Sequence, residues 1–117
     1  MHEFSLVKAL LEQVQGIRQA RGMDRVVSID VSVGEMAGVE TELFREAYDL
    51  LVPAIDSWKA KLTVTELPLE ARCRVCGGTF RVARLRFICP ACGAADVAVV
   101  QGDAVILQRV TFETASR

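Results

Sequence analysis

Four cysteines, arranged as two C-x2-C pairs, constrain the fold of this 117-residue chain more than any other feature. Cys73 and Cys76 form the first C-x2-C motif, Cys89 and Cys92 form the second, and twelve residues separate the two motifs. A C-x2-C turn directs two sulfurs to one side of a metal ion, and two such turns supply a closed tetrahedral zinc site. Because structural disulfides are rare in the cytosol, the paired spacing favours structural zinc over disulfides or thiol redox chemistry.

The cysteines lie in a segment, residues 70–97, whose composition differs from that of the rest of the chain. It is too short and contains too few apolar residues to form a hydrophobic core of its own. We therefore predict an inserted zinc-ribbon domain at 70–97 that is unfolded without metal. The remaining residues, 1–69 and 98–117, should form a second domain.

The flanking residues have the hydrophobic periodicity of an α+β domain. Apolar side chains recur at helical spacing over residues 5–21, with Ser5 as the expected N-cap, and over 40–52, where Pro53 should end or kink the helix. Alternating or apolar segments predict three strands, at 26–33, 61–66 and 104–112. The predicted fold is α+β, with two helices packed on a small three-stranded mixed sheet.

Two of these patterns also predict which side chains face the core. In the first strand, Val27 should face inward and Ser32 should point to the opposite face. In the second helix, Phe44 and Leu50 should both face inward.

Charge and composition exclude several classes of protein. A net charge of −1 with 51% hydrophobic residues is not that of a basic nucleic-acid binder, a polybasic membrane anchor or a disordered tail. The N-terminus does not resemble a signal peptide, and no apolar run approaches the about 18 residues of a membrane span. We therefore expect a cytoplasmic protein with no membrane partner. Five arginines and no acid lie in 72–92; we expect a solvated face there and no nucleic-acid partner.

A second candidate metal site lies at the N-terminus, where His2 is the only histidine. An exposed histidine at a frayed chain end is the ordinary interpretation. Histidine is too large for the initiator methionine to be removed, so Met1 should keep a free α-amine. That amine, the His2 amide and the imidazole Nδ1 form adjoining chelate rings that favour Ni(II) or Cu(II) over tetrahedral zinc. The choice between nickel and copper stays open, and so does a fourth donor from Glu3 or Glu40.

Three stretches of the chain, taken in order, resemble a known family. They are the opening Met1-His2-Glu3, the VGEMAGVE stretch at 33–40, and the C-x2-C-x12-C-x2-C motif. Together they resemble the HypA/HybF family of hydrogenase maturation nickel metallochaperones. The resemblance implies a nickel site at Met1, His2 and Glu3, with nickel as transferred cargo, and a structural zinc site at the four cysteines.

The same resemblance implies a function and partners. It implies that the protein is not an enzyme and delivers Ni(II) to the large subunit of nickel-iron hydrogenase during maturation. It also implies a HypB-type GTPase as partner and, in some organisms, urease maturation proteins. The chain lacks the G-x-x-x-x-G-K-[ST] phosphate-binding motif, so a partner must supply any nucleotide-driven step. The alternative is a zinc-ribbon adaptor that binds protein or nucleic acid and has no nickel role.

Overall fold

The computed structural model describes residues 2–55 and 60–114, and within these ranges it leaves out the side chains of residues 2, 54 and 55. In chain order, the helices and strands are α1 (His2–Ala20), β1 (Arg25–Gly34), α2 (Thr41–Ile55), β2 (Lys61–Leu67), β3 (Glu70–Cys73), β4 (Thr79–Arg81), β5 (Val97–Gln101) and β6 (Val105–Glu113). Within the described ranges, neither helix combines the length and apolar character needed to span a bilayer.

The first sheet has three strands in the order β2-β1-β6. Gly34 at the end of β1 donates its N–H to the carbonyl of Ala104, just before β6 begins, so β6 runs antiparallel to β1. The N–H of Glu35 donates to the carbonyl of Leu67 at the end of β2, so β2 runs parallel to β1. The sheet is therefore mixed, and the predicted α+β fold of two helices and a small three-stranded mixed sheet is confirmed.

The chain divides into two compact units. The first, here called the helical unit, comprises Met1–Ser32, Val39–Thr65 and Ile106–Arg117. The second, here called the cysteine unit, comprises Val33–Gly38 and Glu66–Val105.

In the helical unit, α1 and α2 pack against each other, and buried side chains of both helices and of β1 form its core. Tyr48 of α2 is buried, and its hydroxyl donates a 2.5 Å hydrogen bond to the carbonyl of Ala60. Burial, with a smaller contribution from the charge of Asp49, raises the pKa of Tyr48 to about 12. Fully buried apolar side chains of this core include Val7, Leu11, Val14, Val26, Ile29, Val31 and Phe44.

Both helices differ from prediction at their ends. The first begins at His2 rather than at Ser5, because nothing in residues 2–4 breaks a helix and Glu3 is an acidic residue in its first turn. The second begins at Thr41 and continues past Pro53 to Ile55. A proline in the last turn removes a single helical N–H donor, which a helix end tolerates better than its middle.

Several side chains also face differently from prediction. Val27 is 37% exposed and Leu50 is 72% exposed, although both were expected to face the core. Phe44 is buried, as expected. Ser32 is only 2% exposed, and the side-chain amide of Gln108 donates a 2.9 Å hydrogen bond to its hydroxyl. Both faces of β1 are therefore covered near its C-terminal end. Val27 lies near the start of the strand, where its side chain is open to solvent.

The cysteine unit contains a second sheet with the strand order β4-β3-β5, in which both strand pairs are antiparallel. Ala71 at the centre of β3 lies opposite Phe80 of β4 and Val99 of β5. Leu69, Ala71 and Val82 are buried, and they pack with Phe80, Phe87 and Val97. The expectation that no apolar core forms here is therefore too strong, because two aromatic rings and the residues at the segment's edges supply a small one.

Candidate metal centres

The four cysteine sulfurs of the cysteine unit lie together, with every pair within 4.8 Å. The Sγ atoms of Cys73 and Cys92 are 3.5 Å apart, and those of Cys76 and Cys89 are 3.6 Å apart. A tetrahedron with metal–sulfur distances of about 2.3 Å has edges of about 3.8 Å, so this spacing fits one zinc ion. Four soft thiolates leave no open position on the metal, as in structural rather than catalytic zinc sites.

Two equivalent turns bring these sulfurs together. The N–H of Gly77 donates to the carbonyl of Cys73 at 2.9 Å, and the N–H of Gly93 donates to the carbonyl of Cys89 at 2.8 Å. Gly77 and Gly93 have φ values of +79° and +78°, in the left-handed region that side chains disfavour. A glycine directly after each C-x2-C pair therefore allows the chain to fold back over its own sulfurs.

Backbone donors stabilise the thiolate form of the first cysteine in each pair. The N–H groups of Cys76 and Val75 each lie 3.4 Å from the sulfur of Cys73. These bonds, that of Cys76 first, lower the pKa of Cys73 to about 7 although burial opposes them. The N–H of Cys92 lowers the pKa of Cys89 in the same way. Backbone N–H groups thus stabilise negative charge on the sulfurs of Cys73 and Cys89.

The cluster does not hold four negative charges without a cation. The N–H of Ala94 lowers the pKa of Cys92. The hydrogen bond between the Cys92 and Cys73 sulfurs and burial outweigh this effect and raise the pKa of Cys92 to about 11. A proton shared between neighbouring sulfurs must leave when a metal binds. Zinc binding at this site therefore releases protons and weakens as the pH falls.

The carboxylate of Glu35, which the sequence analysis did not single out as a functional residue, joins separate segments of the cysteine unit. Its Oε1 accepts the N–H of Leu69 at 2.7 Å, and its Oε2 accepts a 3.3 Å bond from Arg81. The Leu69 N–H is the main reason that the pKa of Glu35 lies below its usual value, and Arg81 lowers it further. The only signal in the sequence was one acid in the turn between Gly34 and Gly38.

The predicted N-terminal metal site stays a prediction. Met1 and the side chain of His2 lie outside the described residues. The backbone of His2 begins α1, whose first N–H groups have no helical partner. Oε2 of Glu3 accepts the N–H of Glu40 at 3.1 Å. The structure therefore brings together the two carboxylate-bearing residues that remained open as donors.

Comparisons with known proteins cover nearly the whole chain. The family model described as hydrogenase/urease nickel incorporation, metallochaperone, hypA matches residues 1–112. The hydrogenase maturation factor HypA of Shewanella baltica (strain OS195) is 31% identical over 113 residues, covering 97% of each chain. That of Nitrosospira multiformis is 32% identical over 114 residues, covering 97% of this chain and 99% of the relative.

A solved structure has the same fold. The solution structure of the Ni metallochaperone HypA from Helicobacter pylori aligns with a TM-score of 0.72 at 20% identity. The alignment covers 97% of this chain and 98% of that one. The region matched by the family model contains both candidate metal centres.

Proposed function

This chain belongs to the HypA family of hydrogenase and urease nickel-incorporation metallochaperones, and we propose that it binds Ni(II) and delivers it to the large subunit of nickel-iron hydrogenase. The observation that carries this proposal is the family match over residues 1–112. A protein with this role works in the cytoplasm and transfers a metal rather than catalysing a reaction.

We place the nickel site at Met1, His2 and Glu3. The Met1 amine, the His2 amide and the His2 imidazole lie within two residues of each other, and α1 begins there, where backbone N–H groups have no helical partner. A chain terminus offers few ligands and ready access, which suits a metal that must be released again. Because the imidazole must be neutral to bind, nickel affinity should fall as the pH drops below about 6.5.

We assign zinc to Cys73, Cys76, Cys89 and Cys92. The close approach of the four sulfurs and the lowered pKa of Cys73 and Cys89 support a resident Zn²⁺ ion. A closed tetrathiolate site stabilises a fold instead of releasing its metal readily. We propose that 70–97 is a zinc-ribbon domain inserted between residues 1–69 and 98–117.

We further propose a HypB-type GTPase as a partner and, where urease is present, the urease maturation proteins. The chain contains no G-x-x-x-x-G-K-[ST] motif, so GTP hydrolysis during nickel transfer would belong to the partner.

Metal analysis of purified protein tests nickel binding. We would prepare untagged protein that keeps its native Met1, a His2→Ala variant, and a Glu12→Ala variant as a control on an exposed position of α1. After nickel loading and desalting, elemental mass spectrometry should find about one zinc per chain in all three. Nickel should remain in the parent and in Glu12→Ala only. Equal nickel in all three, or none in any, would contradict the assigned site.

A transfer assay tests delivery. The nickel-loaded protein is mixed with nickel-free large-subunit precursor in the presence of a chelator that captures nickel released to solution. Nickel should reach the precursor from the parent protein and not from free nickel at the same concentration. If nickel does not bind and the protein instead binds nucleic acid with a strong salt dependence, the zinc-ribbon adaptor is the better account.

A further inference from the structure

The second helix lacks part of its usual N-terminal cap. The carbonyl of Glu40 accepts the N–H of Phe44 at 2.9 Å, which makes Glu40 the N-cap residue. In a capping box, a glutamate or glutamine three residues after the N-cap accepts the N-cap N–H. That position is Leu43, which has no acceptor. The N–H of Glu40 therefore needs an acceptor from elsewhere in the chain.

Glu3 supplies that acceptor from the first turn of α1. Its Oε2 atom lies 3.1 Å from the nitrogen of Glu40, although the two residues are 37 positions apart in the sequence. The bond is the one that a glutamate at position 43 would make in a local capping box. The negative charge also lies near the positive end of the α2 dipole, where it is favourable.

We propose that Glu3 is a positioning residue of the nickel site: its carboxylate caps α2 through Glu40 and thereby holds the start of α1 in place. The carboxylate is then not a nickel donor, whereas the Glu3 amide stays available. This inference rests on the proposed nickel site at Met1 and His2.

The physical benefit is pre-organisation. The first residues of a chain are poorly ordered unless something holds them, and a metal that binds a disordered terminus must pay its ordering entropy. A bond between Glu3 and the N-cap of α2 fixes the backbone one residue after His2 before any metal arrives. Its loss should weaken nickel binding without removing any nitrogen donor.

Two substitutions separate this role from others. Glu3→Ala removes the acceptor, whereas Glu3→Gln keeps a side-chain oxygen that accepts the same bond without the charge. Glu12→Ala, on an exposed position of the same helix, is the matched control. Without nickel, Glu3→Ala should speed hydrogen exchange at the Glu40 amide by about threefold to tenfold, the effect of one lost hydrogen bond. Glu3→Gln should retain most of the protection, and Glu12→Ala all of it.

Nickel affinity, measured by competition with a chelator, should follow the same order. Glu3→Ala should weaken nickel binding by about threefold to tenfold, and Glu3→Gln should restore most of that loss. A carboxylate that bound nickel directly would behave differently, because neither the alanine nor the glutamine variant would supply it. The nickel absorption spectrum should therefore be unchanged in Glu3→Gln.

The nickel-loaded parent gives the decisive reading. After exchange in D₂O, acid quench and removal of nickel, the Glu40 amide should be at least as protected as in the metal-free protein. Faster exchange at Glu40 on nickel loading, together with an altered spectrum in Glu3→Gln, would show that Glu3 turns to bind the metal and would overturn the proposal. If Glu3→Ala and the parent bind nickel equally, the positioning role is overturned and the proposed function is not. Failure of the parent to bind nickel would overturn both the proposed function and the positioning role.

Discussion

The backbone of Gly102 occupies the space into which a β-carbon on Gly34 would project. Such a carbon would lie 2.8 Å from the nitrogen of Asp103 and closer still to the carbonyl group of Gly102. A β-carbon on Gly102 would in turn overlap the carbonyl oxygen of Pro68. The end of β1, the β5–β6 link and the residues before β3 therefore meet at backbone contact inside the cysteine unit.

We expect Gly34→Ala to destabilise the protein because neither neighbour is a flexible side chain that can move aside. The cost should be about 1–3 kcal/mol, as for other overpacked sites. Gly16→Ala is the matched control, since Gly16 is in α1 and a β-carbon there meets nothing within 4 Å. The control should stabilise the protein by about 0.5–1 kcal/mol. Urea denaturation of the zinc-loaded proteins measures both, and equal effects would contradict the crowding at Gly34.

Tyr48→Phe should cost about 1 kcal/mol, because it leaves the carbonyl of Ala60 without its donor. The pH dependence gives a second test. Since the pKa of Tyr48 is raised to about 12 in the folded protein, its contribution to stability is complete below the unfolded value near 10 and is lost as the pH rises towards 12. Denaturation curves at alkaline pH should show that loss for the parent and less of it for Tyr48→Phe. Identical alkaline profiles would contradict a buried, hydrogen-bonded phenol.

Glu35 should link the stability of the cysteine unit to acid. Its folded pKa lies below the ordinary value of 4.5, chiefly because of the Leu69 N–H, so its stabilising effect is complete above about 4.5 and is lost as the pH falls through the folded pKa. The NMR shift of the Leu69 amide should therefore report a titration below pH 4.5 in the parent. Glu35→Gln should abolish it, and Glu42→Gln, on the exposed part of α2, should not. A Leu69 titration that survives in Glu35→Gln would contradict the contact.

The periodic parts of this fold were predictable from sequence, and the exceptions have physical reasons. Helices and strands that bury one face repeat every 3.6 or 2 residues, so both helices and all three strands of the first sheet were recognisable. Periodicity does not show where neighbouring elements stop covering a helix or strand face. The pattern places Val27 and Leu50 inward, yet both are exposed, and it places Ser32 outward, yet Ser32 is buried beside Gln108.

The cysteine cluster could be predicted from sequence, whereas the long-range contacts of Glu35 and Glu3 could not. The cysteine spacing is local and encodes its own geometry, and the four sulfurs do converge. The contacts of Glu35 with Leu69 and of Glu3 with Glu40 join residues more than thirty positions apart. No local pattern records such pairings, because they depend on how the helices and strands assemble.

Removal of zinc should affect the cysteine unit first. A chelator leaves four close sulfurs that cannot all ionise, and the cluster around Leu69 and Ala71 is a small apolar core. Amide exchange should therefore accelerate throughout β3, β4 and β5 while the central residues of α1 stay protected. Adding zinc back should restore the protection. Strands β3–β5 that remain protected without metal would contradict a zinc-dependent fold.

The most direct test of the nickel site is to block the chain's own amine. Untagged protein that begins at Met1 is compared with the same chain extended by two residues ahead of Met1, both loaded with nickel and desalted. Zinc per chain should be equal in the two proteins, whereas nickel should remain only in the one with the native N-terminus. Equal nickel retention in both would contradict a site built on the Met1 amine and the His2 nitrogens.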